Sequence, residues 1–444
     1  MLLNAADKAL WRLALPMIFS NITVPLLGLV DTAVIGHLDS PVYLGGVAVG
    51  ATATSFLFML LLFLRMSTTG LTAQAWGAKD PQRLARALVQ PLALALGAGV
   101  LIILLRLPLI DLALHIVGGS EAVLEQARRF LEIRWLSAPA SLANLVLLGW
   151  LLGVQYARAP VILLVVGNLL NIVLDLWLVM GLRMNVQGAA LATVTAEYAT
   201  LIIGLLMAKR VLTLRGVSLA MLKNAWRGDL RRLLALNRDI MLRSLLLQLC
   251  FGALTVFGAR LGSDIVAVNA VLMTMLTFTA YALDGFAYAV EAHSGQAYGA
   301  RDGSQLLEVW RAACRQSGMV ALAFALIYSL AGQYIIALLT SLPSLQQLAD
   351  RYLIWQTLLP VVGVWCYLLD GMFIGATRGA EMRNSMAVAA AGFGLTLLTL
   401  PWLGNHGLWL ALAVFLSLRG LSLAFIWHRH WQNNTWFPSR HDIS

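Results

Sequence analysis

The stretch Gln74-Ala-Trp-Gly-Ala-Lys-Asp80 returns as Gln296-Ala-Tyr-Gly-Ala-Arg-Asp302, 222 residues further along a chain of 444. The same offset carries Arg129-Phe130-Leu131 onto Arg351-Tyr352-Leu353, and Gly149 and Gly153 onto Gly371 and Gly375; Pro139 and Pro360 agree within one residue. Self-similarity at a fixed spacing is the mark of a duplicated structural unit. In an apolar chain it points to a two-lobed transporter built from internal repeats.

The chain is apolar enough for that reading. Sixty per cent of its residues are hydrophobic and 12% charged, against about a quarter charged in soluble domains. Runs such as Pro160 to Met180 and Ala189 to Met207 are long enough to cross a hydrocarbon core of ~30 Å as helices. Twelve spans are expected, at 10–36, 44–70, 88–106, 130–152, 160–181, 187–208, 237–261, 265–297, 314–339, 352–376, 384–403 and 406–427. The fold class is therefore all-α integral membrane. Its two six-helix bundles cover residues 1–208 and 237–444 and are joined by a cytoplasmic linker at 209–236. Six spans per copy is an even number, so both copies enter the membrane in the same direction. They are expected to be related by a pseudo-two-fold axis along the membrane normal.

The net charge of +10 does not indicate nucleic-acid binding, because the basic residues sit in short loops between apolar runs. Lys79, Arg83 and Arg86 follow the second span, Lys209 to Arg238 follow the sixth, and Arg301 and Arg311 follow the eighth. The opposing loops His37 to Tyr43 and Gly404 to Gly407 hold no Lys or Arg. The positive-inside bias then places both termini and the even-numbered loops of a multi-pass membrane protein in the cytoplasm. Arg128 and Arg129 are exceptions, assigned to the outer side near a span end. The first ten residues lack a basic stretch and a cleavage site, and read as a retained cytoplasmic end. The linker pattern Leu212, Leu214, Val217, Leu219, Leu222, Trp226 fits either an interfacial amphipathic helix or a plain connector.

A carboxylate inside a bilayer is expensive and marks a functional site by default. Asp31 lies in the first span and Asp175 in the fifth. Asn168, Asn171 and Asp175 are spaced to share one helix face, and Thr193, Glu197 and Thr200 make a similar stripe on the sixth span. With the assigned orientation, Asp31, Asn171, Asp175 and Thr193 fall at one depth near the outer side, as a single polar cavity requires. A carboxyl kept out of water binds a proton more readily, so such acids are natural proton carriers. A sodium ion is the rival use of the same oxygens, with Asn171 and Thr193 as further ligands. Asp284, Tyr288 and Glu291 share a face of the eighth span, and Asp370 lies on the tenth; these acids fit equally a transport role and pairing with Arg243, Arg301 or Arg378 at the membrane edge, and Glu197 fits equally a transport role and an edge position. Arg65 reads as a snorkelling residue, with a buried counter-ion as the alternative. Pro16 and Pro25 each remove a hydrogen bond from the first helix and offer either a fixed kink or a gate.

Several classes lose support. There is no phosphate-binding GxxxxGK[ST] run, no HExxH, no nucleophile elbow and no paired acidic motif for a metal diphosphate, so neither an ATP-driven motor nor an enzyme is expected. No filter-like segment repeats, which weakens a channel.

The first-helix acid, the Asn171-x-x-x-Asp175 pair and the repeated glutamine-alanine-aromatic-glycine-alanine motif resemble the multidrug and toxic compound extrusion (MATE) family. The runs Val30 to Leu38 and Leu369 to Arg378 resemble its branch of the DNA-damage-inducible F type. The resemblance covers essentially the whole chain. It implies cation-coupled export of amphipathic organic compounds by rocking of two bundles, with no cofactor beyond an ion gradient and no nucleic-acid partner. It further implies that Asp31, Asn171, Asp175 and Thr193 are the coupling and binding residues, with Asn144 on the fourth span as a further candidate, and that Pro16 is a bending point. Sodium-coupled relatives carry a glutamate on the seventh helix; this chain has Gln248 there and no acid in its apolar part. The departure favours protons. The remaining alternatives are a sodium-coupled antiporter and a lipid-linked oligosaccharide flippase, the latter expected to need a strongly cationic cleft. A monomer is expected.

Overall fold

The computed structural model describes residues 3–38, 40–228 and 230–438, and of residues 24–33 the backbone only. Every regular element among them is helical. Eleven helices are long and apolar enough to cross a membrane, and the helix Ala5–Gly36 precedes them. Numbered in order with that helix as span 1, they are span 2 (Pro41–Gly77), span 3 (Pro81–Leu104), span 4 (Glu121–Gly153), span 5 (Arg158–Gly181), span 6 (Asn185–Leu214), span 7 (Leu230–Leu261), span 8 (Ser263–Ala300), span 9 (Gly303–Leu339), span 10 (Pro343–Gly375), span 11 (Gly379–Leu403) and span 12 (Asn405–Gln432). The expected twelve-span all-α membrane fold is the one observed. Most spans run several residues beyond the expected bounds, because capped polar turns extend them past their apolar cores. One short helix was not foreseen, Arg106–Val117 after span 3; another, Leu219–Asn224 after span 6, lies in the linker for which a helix was one of two readings. Arg128 and Arg129 pair with Asp111 and Glu125, which accounts for two basic residues that the loop pattern left as exceptions.

The duplication holds at the level of element ends. Spans 2, 3 and 4 begin at Pro41, Pro81 and Glu121; spans 8, 9 and 10 begin at Ser263, Gly303 and Pro343, each 222 residues on. Asp80 accepts hydrogen bonds from the backbone N–H groups of Gln82 and Arg83, and Asp302 accepts one from Gln305, so each repeated motif ends in a residue that caps the next helix. The residue before each cap, Lys79 and Arg301, turns the chain through the left-handed region at φ 54° and 56°. Gln155 and Thr377, after spans 4 and 10, do the same at 63° and 53°.

The repeated glycines mark where two helices touch backbone to backbone. A Cβ on Gly149 would stand 2.5 Å from the carbonyl oxygen of Arg65, and one on Gly371 would stand 2.7 Å from that of Ala287. These partners too lie 222 residues apart. Close approach of this kind is how membrane helices gain dispersion energy where lipid already satisfies apolar surface.

Contacts divide the chain into two units, Ile22–Leu234 and Met1–Asn21 with Ala235–Ser444. The bounds expected from sequence, 1–208, 209–236 and 237–444, differ from this division in two ways, each with a local cause. The first part of span 1 packs within the second unit: Trp11 donates to Gln316 at 2.9 Å, Asn21 donates to the Tyr281 carbonyl at 3.2 Å, and Gly285 admits Ile18. The linker does not stand apart from the first unit. Gln82 of span 3 donates to the Met221 carbonyl and Gln90 to the Ala225 carbonyl, which fastens the short helix Leu219–Asn224 to span 3. The Arg215 guanidinium lies 3.9 Å from the Trp76 ring centroid.

Candidate functional site

In the unit Ile22–Leu234, spans 5 and 6 lie side by side and bring their polar stripes together. Asn171 and Asp175 are buried, at 2% and 1% exposure. Asn171 Nδ2 donates to Thr193 Oγ1 at 3.4 Å, and Thr193 in turn donates to the Ala189 carbonyl one helical turn back. Asp175 stands one turn beyond Asn171, with both carboxylate oxygens shut away from solvent. It is the last residue of the α-helix Arg158–Asp175; the chain then widens into a π-helical turn at Leu176–Gly181. Such turns are rare and concentrate at functional sites. Three expected site residues therefore converge. The side chain of Asp31 lies outside the described residues, as does that of Pro25.

Asn144 does not join them. It reaches Glu197, one turn along span 6 from Thr193, donating to the Glu197 carbonyl at 3.2 Å and to its carboxylate at 3.4 Å. Ser141 donates to the same carboxylate at 2.9 Å, and Arg134 lies 3.7 Å from its other oxygen. Glu197 thus organises a second polar cluster that the sequence left as a possible edge residue. The signal was present in the spacing of Thr193, Glu197 and Thr200. The partners on span 4 were not legible, because a helix apolar on all sides does not say which face meets a neighbour. The two clusters form one polar seam along span 6, with a rise of about 6 Å between Thr193 and Glu197. Arg65, expected to snorkel, is instead buried at 3% exposure and donates to Thr69 Oγ1 at 3.3 Å.

The second copy has lost this polarity. The residues 222 positions after Asn171 and Thr193 are Phe393 and Phe415, and their rings meet edge to face with centroids 6.1 Å apart. The residue corresponding to Asp175 is Leu397, which opens a 3₁₀ turn where the first copy has its π turn. One helix-to-helix contact is kept in place while its chemistry is exchanged from amide and hydroxyl to two aromatic rings.

The acids of the second unit are arranged differently. Asp370 of span 10 is buried against two arginines, Arg243 at 2.8 Å and Arg419, both also buried. Two guanidiniums around one carboxylate make a compact ionic knot. Glu291 is buried at 2% exposure and Asp284 is half-buried on the same helix, one and three turns from the repeated motif. Of the three arginines expected as partners, Arg243 is the one that holds Asp370; Arg301 and Arg378 go elsewhere. Arg301 binds the Pro438 carbonyl, and Arg378 binds Glu381 and the carbonyls of Thr435 and Trp436. Pro16 sits half-buried inside span 1, where the helix runs through it, five residues before the point at which the two units divide.

Comparison with known proteins bears on the fold and the family. A family profile named MatE matches residues 16–177 and 240–415, one stretch in each copy. The chain is 87% identical to DNA damage-inducible protein F of Escherichia coli strain K12, over 98% of its own length and 95% of that protein's. It is 23% identical over 93% of both chains to the Probable multidrug resistance protein NorM of Acinetobacter baylyi. A crystal structure of MATE in the bent conformation superposes with a TM-score of 0.85 at 24% identity, covering 97% of this chain and 96% of that one. The conserved offset of the duplicated motif, the twelve membrane helices and these matches lead to one conclusion: the chain belongs to the MatE (MATE) family of multi-pass membrane transporters, is not an enzyme, and lies in the DNA damage-inducible protein F branch of that family.

Proposed function

We propose that the chain is a proton-driven exporter of the inner membrane that carries amphipathic, cationic organic compounds outward by alternating access. The observation that carries this reading is the confinement of the polar cluster to one copy: Asn171 meets Thr193 beside the buried Asp175, whereas Phe393 meets Phe415 in the other. A buried carboxyl flanked by an amide and a hydroxyl can take a proton from one side and return it on the other. Asp31 belongs to this site by its place in span 1, and Asn144 supports it through Glu197. Protonation removes the buried charge that attracts a cationic cargo. The gradient then acts only through the different proton affinities of the two states. Pro16 supplies a weak point in the helix that runs from one unit into the other. Asp370, held by two arginines, is already neutralised and serves the fold.

The test is dye efflux from proteoliposomes with the purified full chain. An inward pH gradient is expected to drive efflux of a cationic dye, and a sodium gradient at equal pH is expected not to. Efflux that follows sodium and ignores pH would overturn proton coupling in favour of the sodium antiporter, which uses the same oxygens. Movement of a lipid-linked sugar with no dye transport would favour the flippase.

A further inference from the structure

The second polar cluster of the unit Ile22–Leu234 differs from the first in being open. Glu197 stands near the middle of span 6, and its side chain keeps 27% of its surface exposed. One carboxylate oxygen, Oε2, is taken: Ser141 donates to it at 2.9 Å and Asn144 at 3.4 Å. The other, Oε1, faces the Arg134 guanidinium at 3.7 Å, beyond hydrogen-bond range, and accepts no hydrogen bond among the described residues. Arg134 has other anchors. Its Nη1 donates to Ser137 Oγ, and its Cζ lies 5.4 Å from the centroid of the Phe58 ring, a cation–π distance. The guanidinium does not depend on Glu197 for its place.

Both helices that supply these groups are interrupted beside them. Span 2 breaks between Leu60 and Phe63, just after Phe58. Span 4 passes through a 3₁₀ turn at Trp135–Ser137, just after Arg134. Their counterparts in the second copy, Ser263–Ala300 and Pro343–Gly375, run unbroken. Discontinuous membrane helices are where transporters hold cargo and ions, and a 3₁₀ stretch inside a helix marks a functional hinge. The second copy also shows the same position locked. The residue 222 after Glu197 is Arg419, buried and bound to Asp370, and the residue 222 after Arg134 is the uncharged Gln356. One copy fixes its charge in a tight pair; the other leaves a loose pair with an open oxygen.

We infer that Glu197 reads the charge of the cargo: its Oε1 takes the cationic group of the exported compound, and Arg134 is the built-in counter-ion that the cargo displaces. The inference rests on the export reading above and names the residue that selects for charge. An ionised carboxylate at this depth needs a cation beside it. In the empty chain Arg134 supplies one. When an organic cation arrives, the guanidinium keeps Ser137 and the Phe58 ring, so the exchange strands no charge. A neutral compound has nothing to exchange.

The experiment measures equilibrium binding of tritiated tetraphenylphosphonium to the purified full chain in neutral detergent, at a pH of about 8, where a glutamate is ionised. Triphenylphosphine oxide, a neutral compound of similar shape, is measured by competition. In Glu197→Gln the dissociation constant of the cation is expected to rise about tenfold, the scale of one contact with a charged group. In Arg134→Gln, which installs the second copy's residue, it is expected to fall about threefold, the scale of a loose ion pair. The neutral compound is expected to bind all three proteins alike. A merely structural ion pair would move both variants in the same direction. That result overturns the proposal, as do an equal change for cation and neutral compound, an unchanged constant in Glu197→Gln, and absence of cation binding to the wild type. Should Glu197→Gln fail to fold, Arg134→Gln decides alone: tighter cation binding supports the proposal, and unchanged or weaker binding overturns it. Binding needs no gradient, so the export reading fails separately. Opposite shifts in a chain that moves no dye in proteoliposomes would keep the site and remove the export.

Discussion

Asn171 donates to Thr193 across spans 5 and 6 at 3.4 Å, at the place where the second copy puts Phe393 against Phe415. The duplicated scaffold has kept the contact and changed its chemistry on one side only. A symmetric pair of sites would have kept polar groups in both copies. The asymmetry makes the two copies separable by mutation.

Asn171→Leu and Asp175→Asn are each expected to reduce proton-driven dye efflux to background while the protein still folds, since each change is close in volume and leaves the apolar packing of span 5 in place. Phe393→Leu, at the equivalent position of the second copy, is expected to retain efflux. Efflux assays in proteoliposomes, paired with size-exclusion profiles, check both. Wild-type efflux from Asp175→Asn would remove this acid from the coupling step.

The knot of Asp370 with Arg243 and Arg419 predicts the opposite pattern. Asp370→Ala leaves two buried guanidiniums without a counter-charge, and removal of one partner from a buried ionic group costs about 3–5 kcal/mol. The chain should lose stability first and transport only as a consequence. A combined change of Asp370, Arg243 and Arg419 to apolar residues of similar volume is expected to recover most of that loss. Denaturation midpoints in detergent are the measurement.

Gly149 and Gly371 are expected to respond alike. A methyl group at either would collide with a carbonyl oxygen, 2.5 Å from Arg65 and 2.7 Å from Ala287. Overpacking of this kind costs about 1–3 kcal/mol. Gly97 in span 3 has nothing within 4 Å of the same methyl. There Gly97→Ala is expected to stabilise by about 0.5–1 kcal/mol, because a mid-helix glycine loses more backbone entropy on folding. Thermal unfolding of the three variants side by side decides the matter.

Asp302 caps span 9, and the N–H of Gln305 with the Ser304 hydroxyl holds its carboxyl below the ordinary value of 3.8. A carboxyl lowered by folding contributes stability that is present above 3.8 and fades as pH falls through its depressed folded value. The first turn of Gly303–Leu339 should therefore exchange its amide hydrogens faster as pH drops below that point, after correction for intrinsic exchange. Asp302→Asn keeps a cap without a titrating group and should flatten the response.

Much of this was legible in the sequence, and unevenly so. The repeat was readable because seven consecutive positions kept their identity or their class, whereas the starts of spans 2, 3 and 4 and their counterparts lie up to eleven residues before the expected bounds. The stripe of Asn171 and Asp175 was readable because their spacing allows one helix face only. The partner of Asn144 was not legible: it donates to the carbonyl and carboxylate of Glu197. Around Asp370, Arg243 was among the partners the sequence offered, whereas Arg419, 49 residues after it on span 12, was not.

By itself the sequence determined the twelve helices, their duplication and the positions of the buried acids. An apolar run must become a helix in lipid to satisfy its own backbone, and a copied segment inherits its caps and its close-packing glycines. Only the tertiary structure decided which polar side chains meet: Asn171 with Thr193, Asn144 with Glu197, Asp370 with two arginines, Gln82 and Gln90 with the segment after span 6. Helices that are apolar on every side carry no mark of the face they will bury. The choice of neighbour is made by packing, and with it the difference between a carboxyl poised to bind a proton and one locked in an ion pair.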